Sequence, residues 1–281
     1  MKKIFILMTT TLIILLSGCK ENEFQRILKK VDFNQDIGLY HIDNSKDTDS
    51  ILLFASTSNL SDEEFNYLVD SNIHIMLIAD NNKIMLKPDN IEWQQCDPNL
   101  LKNGISLRLI FDRTKDMHEM IFKNIVFTSN KTSVTIKLKP IYLDVYTSEE
   151  NGISIMESPI GPKNKVSVNK KHSYAYKILD ANGIISEDIE VEMFYPEDVR
   201  NYIDINSLIT SRDENTEKQI KEDYKNTVSE ESLSKLKVYE VSCDYIIKRE
   251  SNITFQPKIK IRFSGKEQDL VPFEPIYFFN N

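Results

Sequence analysis

Glycine, histidine, cysteine and tryptophan are scarce in this chain. Its 281 residues include seven glycines, four histidines, three cysteines and one tryptophan. Phosphate-binding loops and nucleophile turns need glycine at fixed offsets, and the chain has no Walker-type, dinucleotide-binding or Gly-x-Ser-x-Gly pattern. The few cysteines exclude a disulfide-dense scaffold, and the histidines show none of the paired spacings of zinc sites. The sequence therefore predicts no catalytic residue, no cofactor and no metal ion.

The amino terminus has the pattern of an export signal. A basic start, Met1–Lys3, precedes an apolar run from Ile4 to Leu16 that only three threonines interrupt. The run is shorter than the roughly 20 residues that a helix needs to span a bilayer. A basic start and a short apolar run are typical of a secretory signal peptide.

The four residues Leu16-Ser17-Gly18-Cys19 at the end of this run resemble the lipobox of bacterial lipoproteins. The lipobox is a Leu, two small residues and an invariant Cys, and the resemblance covers only the leader. It implies that Cys19 receives a diacylglyceryl group on its sulfur, that signal peptidase II removes residues 1–18, and that fatty acids such as palmitate anchor the mature protein. Because two or more acyl chains attach a protein stably, such an anchor holds it without spanning the membrane. The alternative is a buried structural cysteine near an ordinary cleavage site.

Residue 20 and the net charge bear on location and partners. Lys20 stands where an Asp would resemble the inner-membrane retention signal, so the outer membrane is expected in a cell with two membranes, and the external face of the membrane in a cell with one. Removal of residues 1–18 takes away two lysines, which leaves 33 basic against 43 acidic residues, a net charge of −10. A net acidic protein repels nucleic acid. We therefore expect a membrane contact through lipid and a protein or glycan partner, but no nucleic acid.

Most of the mature chain has the two-residue period of β-strands. Short apolar or alternating runs lie at 51–54, 73–78, 83–86, 105–111, 120–127, 133–138, 141–145, 174–179 and 189–193. Asp80-Asn81-Asn82 between two of them predicts a hairpin turn, since Asn and Asp tolerate the backbone that tight turns require. Many short strands separated by turn signals favour a β-sandwich over a parallel sheet with crossover helices.

Three segments have helical spacing. Phe24, Ile27, Leu28 and Val31 predict a short amphipathic helix, which would pack on the first domain or, alternatively, lie on the membrane surface. Ser61 and Glu64 form a capping box at the start of a two-turn helix. The charged stretch from Arg212 to Lys237 predicts a helical insertion, with a solvated loop as the alternative.

The chain also contains two stretches that resemble each other. Residues 107–111 and 122–127 read like residues 259–263 and 273–278, and we expect each pair to form a final hairpin that packs on an opposite sheet. The similarity predicts two tandem immunoglobulin-like β-sandwich domains, although any two half-buried hairpins look alike. The predicted limits are 19–48 for the lipid anchor and tether helix, 49–140 for the first domain, and 141–281 for the second, with the insertion at about 212–237.

Few other residues are candidates for chemistry. Cys96 and Cys243 predict either one disulfide or two buried free thiols. Residues 32–36 together with Asp43 weakly resemble an EF-hand calcium loop, but Ile37 stands where the sharp turn requires glycine, so a polar turn is favoured. Trp93 is expected in a core or at a domain edge rather than as a ligand platform.

The function predicted from the sequence is a noncatalytic binding module anchored by lipid to the cell envelope. A structural subunit of an envelope complex is the alternative. An exported hydrolase with an unrecognised active site is a third, and a cluster of perturbed carboxylates or histidines in one cleft would favour it.

Overall fold

A computed structural model describes residues 22–33, 35–79, 85–96, 98, 101, 103–112, 114, 117–157, 167–185, 189–272 and 276–278. The predicted signal peptide, Cys19 and the predicted turn Asp80-Asn81-Asn82 lie outside these residues. The described chain is mainly β and forms several sheets, as the sequence predicts.

The described residues form five helices and eighteen strands. The helices are α1 Glu23–Leu28, α2 Asp62–Asp70, α3 Glu197–Arg200, α4 Glu214–Tyr224 and α5 Glu230–Lys235. The strands of the first half are β1 Val31–Asp32, β2 Ile37–Asp43, β3 Thr48–Thr57, β4 Ile73–Ala79, β5 Met85–Leu86, β6 Asn90–Gln95, β7 Gly104–Asp112, β8 Met120–Ser129 and β9 Thr132–Tyr146. Those of the second half are β10 Ile153–Glu157, β11 Lys171–Asp180, β12 Glu190–Phe194, β13 Ile203–Arg212, β14 Lys237–Ile247, β15 Ile253–Phe255, β16 Lys258–Phe263, β17 Lys266–Leu270 and β18 Ile276–Phe278.

Two hydrophobic cores lie between the sheets. The first core packs the sheet β1-β3-β7-β6 against strands β2, β9, β8 and β4 of a seven-stranded sheet. The second core packs the sheet β10-β11-β14-β13 against the sheet β12-β16-β17 and strands β15 and β18. The seven-stranded sheet runs in the order β18-β15-β2-β9-β8-β4-β5, so it joins the two halves of the chain. Facing sheets with alternating inward residues have β-sandwich character.

Strand β2 belongs to both cores. Ile37 and Leu39 pack in the second core, whereas Tyr40 and Ile42 pack in the first. Its seven residues are all buried, and it pairs in parallel with β9 on one side and β15 on the other. Parallel strands that are buried on both faces are typically apolar throughout. These two parallel pairs were not anticipated, because period-two patterning does not distinguish parallel from antiparallel partners.

Strand β9 continues through Pro140, near which the second domain was predicted to begin. Phe122 pairs with Ile141 and Asn124 with Lys137, so three residues of β9 lie opposite one residue of β8. This bulge accommodates a proline, which has no N–H to donate to the ladder. The domain limits themselves stay predictions.

The two predicted final hairpins are wrong. β7 pairs with β3 and β6, whereas β8 pairs with β4 and β9 in the other sheet. In the second half, β16 pairs with β12 and β17, whereas β18 pairs with β15. In both places the connection therefore crosses between sheets. Alternation identified the strands but not their partners, because each strand needs only some apolar surface to cover its inward face.

The amphipathic helix near the amino terminus is present as α1 and packs in the first core. Phe24, Ile27 and Leu28 are buried there, and burial of each such side chain stabilises the fold by about 1.5–3 kcal/mol. Arg26 and Lys30 both make ion pairs with Glu64, at 2.8 and 2.7 Å. The segment assigned to the tether is thus fastened to the folded body from residue 22 onward.

The structure also has helices in the two other segments that the sequence predicts to be helical. Ser61 and Glu64 make the reciprocal bonds of a capping box at the start of α2. Helices α4 and α5 lie within the stretch 212–237, between β13 and β14. Among the described residues, no helix has both the length and the apolar character needed to cross a membrane.

Candidate functional site

The junction between the two cores holds a polar cavity, which we call the junction cavity. Its volume is about 360 Å³, within the usual range for small-molecule sites. The first half of the chain contributes residues of β2, β3, β7 and β9 and of the segments beside them, and the second half contributes residues of β10 and β17, Gln256 and the segment after β17. The lining residues with acidic, basic or imidazole side chains are His41, Asp43, Lys46, Asp49, Arg108, Glu149 and Asp269.

The alternation of β2 brings its polar residues to this junction. Ile37, Leu39, His41 and Asp43 share one face of the strand, because successive side chains point to opposite sides. The first two are apolar and pack in the second core. The last two are buried polar residues that line the cavity. The same face of β2 therefore packs in the second core at the start of the strand and lines the junction cavity at its end.

Asp43 is fully buried, and its two carboxylate oxygens have unequal surroundings. Oδ1 accepts hydrogen bonds from the backbone N–H and hydroxyl of Ser45, at 3.0 and 2.6 Å, and from the Ser148 N–H at 3.1 Å. Oδ2 accepts none from the described residues. Burial alone would raise the pKa of Asp43, but the bonds from Ser148 and Ser45 outweigh it and lower that pKa. Asp43 is thus held as a carboxylate.

Asp49 lies beside Asp43, and its pKa is shifted in the opposite direction. Its Oδ2 accepts from the Asp43 N–H at 2.9 Å, and its Oδ1 accepts from the Ser50 N–H at 2.7 Å. Burial raises the pKa of Asp49, more than these bonds and the Lys46 charge lower it. The pKa values of these two neighbouring carboxyl groups are therefore shifted in opposite directions.

Gln256 joins the two halves at the wall of the cavity. Its side-chain oxygen accepts from the His41 N–H at 2.8 Å, and its side-chain amide donates to the Pro272 carbonyl at 2.7 Å. Its own N–H donates to the Leu39 carbonyl at 3.1 Å. This buried residue therefore continues the β2–β15 pairing and positions residues of the cavity.

A second polar cluster lies on the other side of His41. His41 and Asp144 are opposite each other in the parallel β2–β9 register, and Nδ1 of His41 is 2.8 Å from Oδ2 of Asp144. Lys258 Nζ lies 2.6 Å from the same oxygen. These residues and Glu119 line a cavity of about 450 Å³. His41 thus separates two cavities.

The pKa values in this second cluster move in opposite directions. Burial would raise the pKa of Asp144, but the contacts with His41 and Lys258 outweigh it and lower that pKa well below its ordinary value. A hydrogen bond with Asp144, followed by its charge, raises the pKa of Glu119. Glu119 therefore keeps its proton to a higher pH than an isolated carboxyl group does.

A histidine beside a carboxylate also occurs in catalytic triads, but a triad needs a nucleophile on the other ring nitrogen. Nε2 of His41 is buried and forms no hydrogen bond with the described residues. The arrangement can hold charge and orient a ligand. Within the part of the chain that the structure describes, no hydroxyl or thiol contacts Nε2 in the way that lets a base activate a nucleophile.

Most of the candidates singled out from the sequence lie elsewhere. Cys96 and Cys243 are both free, so of the two predicted states the structure has the two thiols. Trp93 is buried in the first core and stacks on Phe127, as expected of a core residue. Asp32 and Asp43 lie in different strands, which favours the polar turn over the calcium loop. No three His, Cys, Asp or Glu side chains of the described residues are grouped to hold a metal ion.

The junction residues were not predicted from the sequence. His41 belongs to no zinc-like spacing, and Asp49, Asp144 and Gln256 belong to no motif of the sequence. One local signal is present in β2, where the polar residues His41 and Asp43 stand in an otherwise uncharged run whose seven residues are all buried. Their partners come from strands far along the chain, which no local pattern connects.

Comparisons with known proteins identify no family. No family model matches the chain, and no curated protein matches it. Among solved structures, a marsupial T cell receptor aligns with 86% of this chain and 61% of its own, at 11% identity and a TM-score of 0.24. The chain thus spans about three fifths of that structure's length. A TM-score this low supports neither a fold family nor a function.

Proposed function

We propose that this protein is a noncatalytic binding module, anchored by lipid on Cys19 to a bacterial membrane outside the cytoplasm. It sits on the outer membrane of a cell with two membranes, or on the external face of the membrane of a cell with one. Its partner is a protein or a glycan. The two cores belong, in this proposal, to tandem immunoglobulin-like sandwich domains.

The observation that carries the binding role is the junction cavity. It is built by both halves of the chain and contains a fully buried carboxylate with one oxygen free of hydrogen bonds from the described residues. A buried polar atom without a partner is costly unless something uses it. The location rests on the lipobox resemblance alone.

The anchor is tested by Cys19→Ala. We expect the variant to lose radiolabelled palmitate and to leave the membrane fraction, because the acyl chains supply the attachment. Cys96→Ala is the matched control and should keep both label and location, since its thiol lies in the folded body. A Cys19→Ala protein that still takes up label and still sediments with membranes would refute the anchor.

The pair of His41 and Asp144 favours one second candidate, an exported hydrolase. A buried histidine beside a carboxylate, with acidic and basic side chains on both sides of it, is one part of the site that such an enzyme would need. A screen of the purified protein against ester, peptide and glycoside substrates, with His41→Gln beside it, tests this candidate. Turnover that His41→Gln abolishes would establish the enzyme and refute a purely binding role.

The third candidate, a structural subunit of an envelope complex, differs from a ligand-binding module in what it touches. Crosslinking in intact cells should recover a stoichiometric membrane complex if the protein is a subunit. For a binding module, we expect crosslinks that depend on the presence of the ligand.

A further inference from the structure

The carboxylate of Asp43 is the strongest unexplained feature of the molecule. Its side chain has no exposed surface, and Oδ2 receives no hydrogen bond from the described residues although it lines the junction cavity. Lys46 Nζ lies 3.6 Å from this oxygen, beyond hydrogen-bond length, on a side chain that is about half exposed. A buried anion oxygen in this position is stabilised most by a close N–H donor that carries positive charge.

A second acidic residue, from the other half of the chain, lines the same cavity. Asp269 in β17 also lines it, and its buried Oδ1 accepts no hydrogen bond from the described residues. Asp43 and Asp269 belong to different sheets. Two carboxylate oxygens that accept no hydrogen bond from the described residues, on residues of two sheets that line one cavity, indicate a ligand that donates rather than a defect of one loop.

The charges of the lining favour a cation. Four carboxylates, Asp43, Asp49, Glu149 and Asp269, face two basic side chains, Lys46 and Arg108. The guanidinium of Arg108 is shared with a carboxylate outside the cavity, since its Nη1 lies 3.9 Å from Glu92. An anionic ligand would add to the excess negative charge.

The surroundings favour an organic cation over a metal ion. Metal ions such as calcium need six to eight oxygen ligands, and the described residues bring no three acidic, His or Cys side chains together. The aromatic ring of Tyr146 lines the cavity beside Asp43, its neighbour in the β2–β9 pairing. Aromatic rings and carboxylates together are typical of sites for ammonium groups.

We propose that the junction cavity binds a small organic molecule through a primary ammonium group, which donates to Asp43 and Asp269. Polyamines and amino sugars both carry this group, and the cavity volume of about 360 Å³ accommodates either. The inference rests on the proposed binding function and names its ligand class.

Titration calorimetry with the full-length protein in detergent tests the inference. The probes are putrescine against 1,4-butanediol and glucosamine against N-acetylglucosamine, pairs that differ at the amino group. We expect binding by at least one amine and none by its uncharged counterpart. Binding of putrescine alone indicates a polyamine site, and binding of glucosamine indicates an amino-sugar site.

Two substitutions connect the binding to the carboxylates. Asp43→Asn keeps an oxygen for Ser45 and Ser148 but removes the negative charge, so it should raise the dissociation constant about tenfold. Asp269→Asn should do the same and serves if Asp43→Asn fails to fold. Asp204→Asn is the matched control, because Asp204 is exposed in β13 and does not line the cavity.

Several outcomes would overturn the inference. These are equal binding of amine and neutral probe, no binding of any probe, stabilisation by calcium chloride alone, or amine binding that both carboxylate variants retain. Each leaves the anchor untouched, since palmitate labelling and fractionation of Cys19→Ala judge that part separately. A chain that binds putrescine but carries no palmitate would refute the envelope location and keep the ligand class.

Discussion

Asp144 lies opposite His41 in the parallel pairing of β9 with β2, with its Oδ2 2.8 Å from Nδ1 of the histidine. The same oxygen lies 2.6 Å from Nζ of Lys258, a residue of β16. One carboxylate of β9 therefore contacts side chains of two other strands, β2 from the first half of the chain and β16 from the second. This contact and the Gln256 bonds show that the halves meet through buried polar groups as well as apolar ones.

We predict that Asp144→Asn destabilises the protein at neutral pH. The lowered pKa of Asp144 means that its contribution is fully present above the ordinary value of 3.8 and is lost as pH falls through the folded-state pKa. Asparagine removes the charge, so the free energy of unfolding should fall by about 1–3 kcal/mol, less than for a fully buried pair because the side chain is partly exposed.

Urea denaturation between pH 7 and pH 3 measures the effect of Asp144→Asn. The variant should show a smaller loss of stability on acidification than the parent. The raised pKa of Glu119 acts in the other direction, since its contribution is present at low pH and is lost as pH rises. Asp204→Asn, an exposed control, should change stability by less than about 1 kcal/mol. Parallel acid curves for parent and Asp144→Asn would contradict the prediction.

Gln256→Ala should weaken the junction between the two cores. The substitution leaves the His41 N–H and the Pro272 carbonyl without their partner, and each unsatisfied buried group costs about 1–3 kcal/mol. We expect a loss of about 2–4 kcal/mol in urea denaturation. Gln94→Ala on the exposed face of β6 should stay within about 0.5 kcal/mol of the parent. If both variants unfold at the same urea concentration, Gln256 does not join the halves.

Glu64→Gln should loosen α1 from the body. The hydrogen bond from Lys30, followed by that from Ser61, lowers the pKa of Glu64 to about 2. Its stabilisation is therefore present above the ordinary value of 4.5 and is lost as pH falls towards about 2. Glutamine removes the charge at every pH, so trypsin should cleave faster after Arg26 and Lys30.

The adjacent Glu63 supplies the control for that experiment. Glu63 is exposed in the first turn of α2, and Glu63→Gln should leave the trypsin rate unchanged. A second check is thermal unfolding at acid pH, where the parent should approach Glu64→Gln in stability. Equal cleavage rates for the two variants at neutral pH would show that the ion pairs with Arg26 and Lys30 do not fasten the segment.

The two free thiols should be inert in the native protein. Burial raises the pKa of Cys96 to about 11 and that of Cys243 to about 12, so little thiolate is present at pH 8. We expect Ellman's reagent to react slowly with the folded protein and with two thiols in urea. A lipid-modified Cys19 adds none, whereas an unprocessed Cys19 adds a third. Cys96→Ala should reduce the count by one, and rapid reaction of the native protein would contradict the burial.

The sequence by itself was sufficient for features that depend on neighbouring residues. Period-two runs indicated the strands, the apolar spacing of Phe24, Ile27 and Leu28 predicted α1, and Ser61 with Glu64 predicted the start of α2. Each of these requires only side chains within a few positions of one another. The lipobox is likewise a local pattern, and its consequence stays a prediction.

Only the tertiary structure decided which strands pair and what the polar residues do. β2 separates two cores and pairs in parallel on both sides, which brings His41 to Asp144 and Asp43 to Tyr146. Contacts such as His41 with Gln256 join residues more than 200 positions apart. Alternation reports that a strand has a buried face, but it carries no information about which distant strand covers that face. The junction cavity depends on which distant strands pair with and cover β2.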